Sequence, residues 1–324
     1  MGREFNILVT AASRRVAMIR GFILALAGLG LRGKVVCADS DPLSASLRFC
    51  HGHHIAPLSS APEYIDRILD ICREERIHMV VPTIDEELET FALRREDFLA
   101  QGILPLVSSA QTCRICRDKR LTWQFFKDHG LPFAETFLPE EFDYASARYP
   151  LFIKPRKGRG SVGAHRIANE GELRFFTTYI HEPVIQRYLP GQEFTVDALA
   201  GLDGRILHVV PRQRMVIRSG VCDRGMTRLL PDMIEVSKKI LETLGVTGPV
   251  NLQCKLYKGE VTFFEVNPRF SGAIQLTAAA GADFFSLILR EAMGERVSPA
   301  IGEFTDKFLM LSYEESVFEP GPGS

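Results

Sequence analysis

The sequence has no long apolar run. Its longest, Phe22 to Leu31 (FILALAGLGL), stops at Arg32 and falls short of the roughly 18 residues that span a bilayer, so no membrane partner is expected. The first residues, MGREFNILVTAASRR, lack the basic, apolar and small-residue zones of a secretory leader. A cytoplasmic location is the default expectation. There is no charge of one sign to spare either: 39 Lys and Arg face 40 Asp and Glu, a net charge of −1. Without a basic field, a nucleic-acid partner is not expected. Seven cysteines, odd in number and scattered, argue against a disulfide scaffold. Cys113 and Cys116 form a lone CxxC with no second ligand pair, and read as two small residues one turn apart on a helix face.

Two phosphate-binding signatures are missing as well. The turn after the first strand, Thr10 to Arg15 (TAASRR), has no glycine, so it lacks the spacing that lets a backbone reach a pyrophosphate. Asp39 does end the second strand, but serves equally as a turn residue before Asp41-Pro42, and a nicotinamide-dependent enzyme is a weak reading. No Gly-Lys-Ser/Thr opens a helix anywhere.

What is present is enough apolar material for two or three domains: 46% of 324 residues. The fold class is α/β and α+β. In the first part, short continuous apolar strands (FNILVT, KVVCA, MVVP) alternate with helical patterns over 14–31, 63–75 and 86–100. That alternation implies a small doubly wound parallel sheet, with ligands beyond the carboxyl ends of its strands. Asp85 and Glu86 follow such an end; a helix N-cap and first turn is the preferred reading, the alternative being a face on an interdomain cleft. The second part begins near Cys113. A helix over 119–129 stops at Gly130, strands are expected at 151–154, 183–188, 193–200, 205–210, 213–218, 250–256 and 261–267, and helices at 231–244, 272–280 and 284–293. The last residues, EPGPGS, are expected to be disordered.

Two segments carry chemistry. In 155–163, PRKGRGSVG, the glycines Gly158, Gly160 and Gly163 allow backbone amides close to an anion, and Lys157 and Arg159 add charge, although the loop alone serves equally as an exposed hairpin turn. Lys154 precedes the loop at the end of an apolar strand, where it can meet phosphate oxygens. The second segment is a strand pair, 251–256 and 261–267, joined at Lys258-Gly259. Glu265 and Asn267 are two apart and share a face, with Phe264 and Val266 expected in the core. A three-residue loop over 258–260 pairs Tyr257 with Val261 and sets Gln253 opposite Glu265; a two-residue loop misses by one. In the first register Gln253, Glu265 and Asn267 form an oxygen cluster adequate for Mg2+ (or Mn2+) when a triphosphate supplies further ligands. Arg269, just beyond, is placed to neutralise a transferring phosphoryl group.

In order, DKRLTWQFFKDHGLP, FIKPRKGRGSVG, VIQRYLPGQEFTVD, GVTGPVNLQCKL and FFEVNPRFSG resemble the ATP-grasp superfamily, most closely its carbamoyl-phosphate-synthetase-like branch, over about 118–273. The resemblance implies a pre-ATP-grasp Rossmann-like domain at 1–112, an ATP-grasp domain at 113–303 with a lid subdomain at about 133–188, and a C-terminal segment at 304–324. It implies that Lys119 and Lys154 contact ATP, and that 157–163, with Gly158, Gly160 and Ser161, covers the phosphates. Gln186, Arg187 and Leu189 would lie along the adenine hinge and Glu193 at the ribose. Gln253, Glu265 and Asn267 would hold the metal, and Arg269 would meet the γ-phosphate. The sequence departs from common patterns at three of these positions: Gln186 and Gln253 stand where acids are frequent, and Lys119 where the synthetases usually have Arg.

A single unit of this kind is expected to activate a small-molecule carboxylate as an acyl-phosphate and join it to an amine, with ATP as co-substrate. A non-catalytic ATP-binding regulatory module is the alternative, and a homodimer is the base-rate expectation. Arg212, Arg214 and Arg218 share one strand face and suit either an anionic substrate or a solvated edge strand; for a substrate role Arg212 and Arg214 are preferred, Arg212 as a catalytic residue. His208, alone in an apolar strand, reads as structural.

Overall fold

Continuous burial is what the first strands predict, and the computed structural model, which describes residues 3–218 and 220–321, has it. Strands β1 (Ile7–Thr10), β2 (Val35–Asp39), β3 (Gly52–Ile55), β4 (Met79–Val81) and β5 (Leu104–Pro105) form a parallel sheet in the order β3-β2-β1-β4-β5. Every residue of β1, β2 and β4 is buried. Helices α1 (Val16–Gly28), α2 (Tyr64–Glu74), α3 (Asp85–Leu93) and α4 (Arg95–Leu99) surround the sheet. The helix expected over 86–100 is thus two, divided at Arg94.

Asp39 has a structural task. Its Oδ2 accepts from the Ser13 amide at 2.6 Å and its Oδ1 from the Asp41 amide at 2.9 Å, so it holds the glycine-free turn together. Two non-glycine residues of that turn, Ala11 (φ 45°) and Ser13 (φ 43°), are left-handed. This is the turn-residue reading of Asp39.

After the sheet come α5 (Ala110–Arg117) and α6 (Lys119–Asp128). Cys113 and Cys116 lie buried and free on α5, and burial pushes both thiols up, Cys113 to about 12. A four-stranded antiparallel sheet follows, with β6 (Thr136–Phe137), β7 (Leu151–Pro155), β8 (His165–Ile167) and β9 (Pro183–Arg187) in the order β6-β9-β7-β8, backed by α7 (Glu170–Tyr179). The main sheet takes β10 (Gln192–Ala200), β11 (Ile206–Arg218), β12 (Val221–Thr227), β13 (Gly248–Tyr257), β14 (Glu260–Asn267) and β15 (Leu309–Leu311) in the order β14-β13-β10-β11-β12-β15. Helices α8 (Pro231–Leu244), α9 (Ile274–Ala279) and α10 (Phe284–Ala292) complete the chain.

Two strands are expected at 205–210 and 213–218. They are one strand, β11, and β12 was not foreseen, because VCDRGMT mixes charge and glycine and has no clean alternation. The two main sheets share a core. Phe22 of α1, Phe270 and Phe285 of α10 form a triad with ring centroids 5.0–5.8 Å apart. Gly21 makes room for it, since a Cβ there would lie 2.4 Å from the Phe285 ring. The expected tail disorder over 319–324 falls partly outside the described residues; Glu319 itself is ion-paired to Arg48.

Candidate active site

The β13–β14 hairpin turns on two residues, Lys258 (φ 50°) and Gly259 (φ 86°), as a type I′ turn requires. Tyr257 therefore pairs with Glu260, one residue away from the pairing expected above. A β-bulge between Gln253 and Cys254 on one strand and Phe263 and Glu265 on the other restores the count, so Gln253 still faces Glu265. The bulge has a second effect that corrects the sequence reading. Phe263, not Phe264, fills the core, while Phe264 joins Glu265 in lining a cleft.

That cleft, of about 180 Å3, lies between the two antiparallel sheets. Lys119, Lys154, Gly158, Gly160, Ser161, Gln186, Arg187, Leu189, Glu193, Gln253 and Glu265 all line it. Lys119 is the first residue of α6, whose N-cap Asp118 accepts from the Arg120 and Leu121 amides and pairs with Arg156 at 2.7 Å. The Lys119 ammonium donates to the Gly158 carbonyl at 3.2 Å, tying the helix to the glycine loop. Lys154 is 6% exposed and donates to the Phe264 carbonyl at 3.4 Å. Burial, with Lys119 adding to it, lowers Lys154 to about 7 against the pull of Glu265 and Glu193. In the loop Gly158, Gly160, Ser161 and Gly163 all have positive φ. The loop leans on the β11–β12 turn so closely that a Cβ on Gly220 would lie 3.0 Å from the Gly160 carbonyl oxygen.

Glu193 is held between two cations, Lys255 at 2.7 Å and Arg214 at 2.6 Å. Lys255, two residues after Gln253 on one strand face, escaped the sequence reading although the same-face spacing pointed to it. Gln186 is buried and donates to the Thr136 hydroxyl at 2.7 Å, while the Arg187 side chain is exposed and pairs with Glu135.

A second cavity, of about 170 Å3, adjoins the first. Asp85, Glu86, Cys116, Arg117, Lys157 and Asn267 line it, and Lys119, Gly158 and Glu265 belong to both. Asn267 donates to Glu265 Oε1 at 3.2 Å and to Asn251 Oδ1 at 3.3 Å, leaving its amide oxygen for a cation. Glu265, with Asn267 beside it and Gln253 opposite, offers oxygens of the kind magnesium takes when phosphates supply the rest, although Arg214 donates to the Gln253 Oε1 at 3.5 Å. The set includes one carboxylate, and among the described residues no three His, Cys, Asp or Glu side chains gather.

Three expectations need correction. Arg212 does not line the cleft. It is 1% exposed, bound by two hydrogen bonds to Asp197 (2.7 and 2.9 Å) and by one to Ser271 (2.9 Å), so β10 supplies a buried counter-ion before any substrate does. Arg214, two residues on, reaches the cleft instead. Arg218 is exposed, beyond a register shift in β11, so the three arginines do not share one environment. Arg269 lines neither cavity; Asp85 engages it through two hydrogen bonds at 2.6 and 3.0 Å. Asp85 and Glu86 do occupy the first turn of α3, with Ile84 as the N-cap, yet they also face the second domain, Glu86 through Arg159 at 3.2 Å. Arg15 sits behind this pair. Burial and the neighbouring Arg269 lower it to about 10. His208 is buried against Phe284 and away from both cavities, and burial lowers its pKa.

Residues 180–315 match the family model described as ATP-grasp in the biosynthetic pathway with Ter operon, and residues 7–106 match the PylC-like N-terminal domain. The D-alanine–D-alanine ligase of Petrotoga mobilis is 26% identical over 58% of this chain and 70% of its own length. The carbamoyl phosphate synthase large chain of Lachnoclostridium phytofermentans is 24% identical over 83% of this chain, which spans only 26% of that protein. The structure of biotin carboxylase from Campylobacter jejuni superposes with a TM-score of 0.74 at 17% identity, covering 93% of this chain and 73% of the other. With an antiparallel two-sheet cleft behind a parallel five-stranded domain, the chain has the ATP-grasp fold, and its residues 180–315 match an ATP-grasp family model.

Proposed function

We propose that the chain binds Mg-ATP in the first cleft, phosphorylates a substrate carboxylate, and transfers the acyl group to an amine, releasing ADP and phosphate. The observation that carries this is the convergence of Lys119, Lys154, the glycine loop and Glu265 on one cleft. Such a cleft is cationic where a triphosphate would lie, with a single acid where its metal would sit. Gln186, Arg187 and Leu189 would line the adenine and Glu193 would meet the ribose, its two cations holding it in place. Gln253, Glu265 and Asn267 would hold Mg2+ (or Mn2+), whose charge would offset that developing on the transferred phosphoryl group.

Transfer of a phosphoryl group asks for positioning and charge neutralisation more than for a nucleophilic side chain. Lys119 and Lys154 supply charge from inside the cleft. Arg214 takes the part first given to Arg212. Arg269 acts through Asp85, fixing the second cavity's acidic wall. A carboxylate oxygen attacks the γ-phosphorus, and the bond to the β-phosphate oxygen breaks with its electron pair going to ADP. The amine then attacks the acyl carbon and phosphate leaves. A cytoplasmic setting and small-molecule substrates accord with this reading, and among the described residues no helix is long and apolar enough to cross a membrane.

Glu265→Gln tests the proposal, because it removes the one charged metal ligand. Acid-stimulated ADP release should fall by at least about a hundredfold, and magnesium should no longer strengthen ADP binding in calorimetry. Near-normal turnover would overturn the metal assignment. If ATP binds and no carboxylate stimulates its turnover, a regulatory nucleotide-binding module becomes the better reading.

A further inference from the structure

We propose that Cys50 and Cys37 form a thiol-oxidation site in the first domain, where Cys50 takes an oxygen from a hydroperoxide and Cys37 resolves it as a disulfide. The inference does not depend on the ligase reading.

All seven cysteines are free, and Cys50 is the one that is not buried. Side chains alternate along β2. Val36 and Ala38 pack with α2, while Val35 and Cys37 turn to the face covered by α1. The chain between β2 and β3 returns over that same face. Leu47, in the tight turn Ala45–Arg48, is buried there, and Cys50 packs half-buried against the same cluster. The His51 amide donates to the Val35 carbonyl at 2.8 Å and fixes the return. The two sulfurs are thereby within hydrogen-bonding reach, with the Cys37 thiol donating to Cys50. The backbone amides of Cys50, Gly52 and Cys37 also donate to the Cys50 sulfur.

Such a cradle favours a thiolate, the form of cysteine that reacts. The Cys37 thiol lowers Cys50 to about 7, with the amides adding to it and partial burial opposing. Cys37 moves the other way, pushed up by the same hydrogen bond, by burial and by the charges of Cys50 and Asp39. Burial pushes up Cys72, Cys113, Cys116, Cys222 and Cys254, so no second thiolate competes near neutral pH. A half-exposed thiolate beside a buried second thiol is the arrangement that oxidation selects.

The steps balance. The Cys50 thiolate attacks one oxygen of the hydroperoxide. The S–O bond forms as the O–O bond breaks, and the other oxygen leaves, taking up a proton, as water or an alcohol. The Cys50 charge that held the proton on Cys37 is then gone. The Cys37 sulfur attacks the Cys50 sulfur, the S–S bond forms and the S–O bond breaks, and the oxygen leaves as water with the Cys37 proton. The two thiols lose two electrons and the hydroperoxide gains them. The bond fastens the β2–β3 connection, which the Ser46 amide also anchors at the Ser13 carbonyl (3.2 Å).

The test uses the intact, reduced protein. Iodoacetamide near neutral pH should alkylate Cys50 at least about tenfold faster than any other cysteine. Stoichiometric hydrogen peroxide should remove the mass of two hydrogen atoms, and dithiothreitol should restore it. Peptide mapping without reductant should find Cys37 joined to Cys50. Cys50→Ala should keep its mass under the same treatment. Cys37→Ala should stop at the first step and gain one oxygen, which dimedone captures on Cys50. Three results would overturn the proposal: a Cys50 that alkylates no faster than the rest, peroxide treatment that leaves Cys50 unchanged, or a wild-type disulfide that joins any other pair. Should Cys37→Ala fail to fold, the mass and the peptide map of the wild-type protein alone decide.

Discussion

Arg212 offers the sharpest division between a structural and a catalytic role. Both it and Asp197 are 1% exposed, and their two hydrogen bonds are joined by Ser271 on one side and Thr277 on the other. Removing one partner of a buried ion pair leaves an uncompensated charge and costs about 3–5 kcal/mol, whereas replacing both with apolar residues of similar size is often close to neutral. Arg212→Met should therefore lower the melting temperature by roughly 6–20 °C, taking about 2–4 °C per kcal/mol for a unit of this size. The double variant Asp197→Leu/Arg212→Met should recover most of that loss, although Thr277 loses its acceptor. Thermal melts of the wild type, both single variants and the double variant close a cycle whose coupling energy should be several times the few tenths of a kcal/mol expected of independent sites. ADP titration of the double variant should show affinity close to that of the wild type, since Arg212 lines neither cavity. Two results would refute this reasoning: an Arg212→Met protein that melts like the wild type but has lost turnover, or a double variant whose losses simply add.

Lys154 predicts a pH dependence. Its folded pKa, about 7, lies below its ordinary 10.5, so between those values the unfolded chain binds more protons than the folded one. The unliganded protein should gain stability from this group as pH rises from 7 to 10. Lys154→Met should be more stable than the wild type at pH 6, with the gap closing toward pH 10 in parallel melts; a gap independent of pH would show that the buried amine is not the cause. Gly220→Ala would place a methyl 3.0 Å from the Gly160 oxygen at a residue whose φ is +75°. Strain of about 1 kcal/mol or more in the closed loop should weaken ADP binding by roughly fivefold, and unchanged affinity in titration would mean the loop and the hairpin move independently.

Much of this was legible in one dimension. Strand–helix alternation and buried strands pointed to a parallel first domain, and the glycines after Lys154 to a loop of left-handed backbone. The pairing of Gln253 with Glu265 was also anticipated, but through a three-residue loop, when a two-residue turn and a compensating bulge produce it. A bulge depends on how a strand packs on its neighbour, and local spacing does not encode it. For the same reason Phe263 and Phe264, identical side by side, exchanged their expected places.

The arginines mark the boundary most clearly. Sequence alone determined that Arg212, Arg214 and Arg269 belong near the chemistry-bearing strands, because periodicity and motif order are properties of the chain. Which of them reaches the cleft was decided only by the fold, through partners distant in sequence: Arg212 is paired with Asp197 and Arg269 with Asp85 away from it, whereas Arg214 lines it while paired with Glu193. A charge is neutralised by whatever lies within a few ångströms, and that neighbour is chosen by tertiary packing. The acidic end of the second cavity exists for the same reason, since α3 of the first domain brings Glu86 to a site whose other walls come from the second.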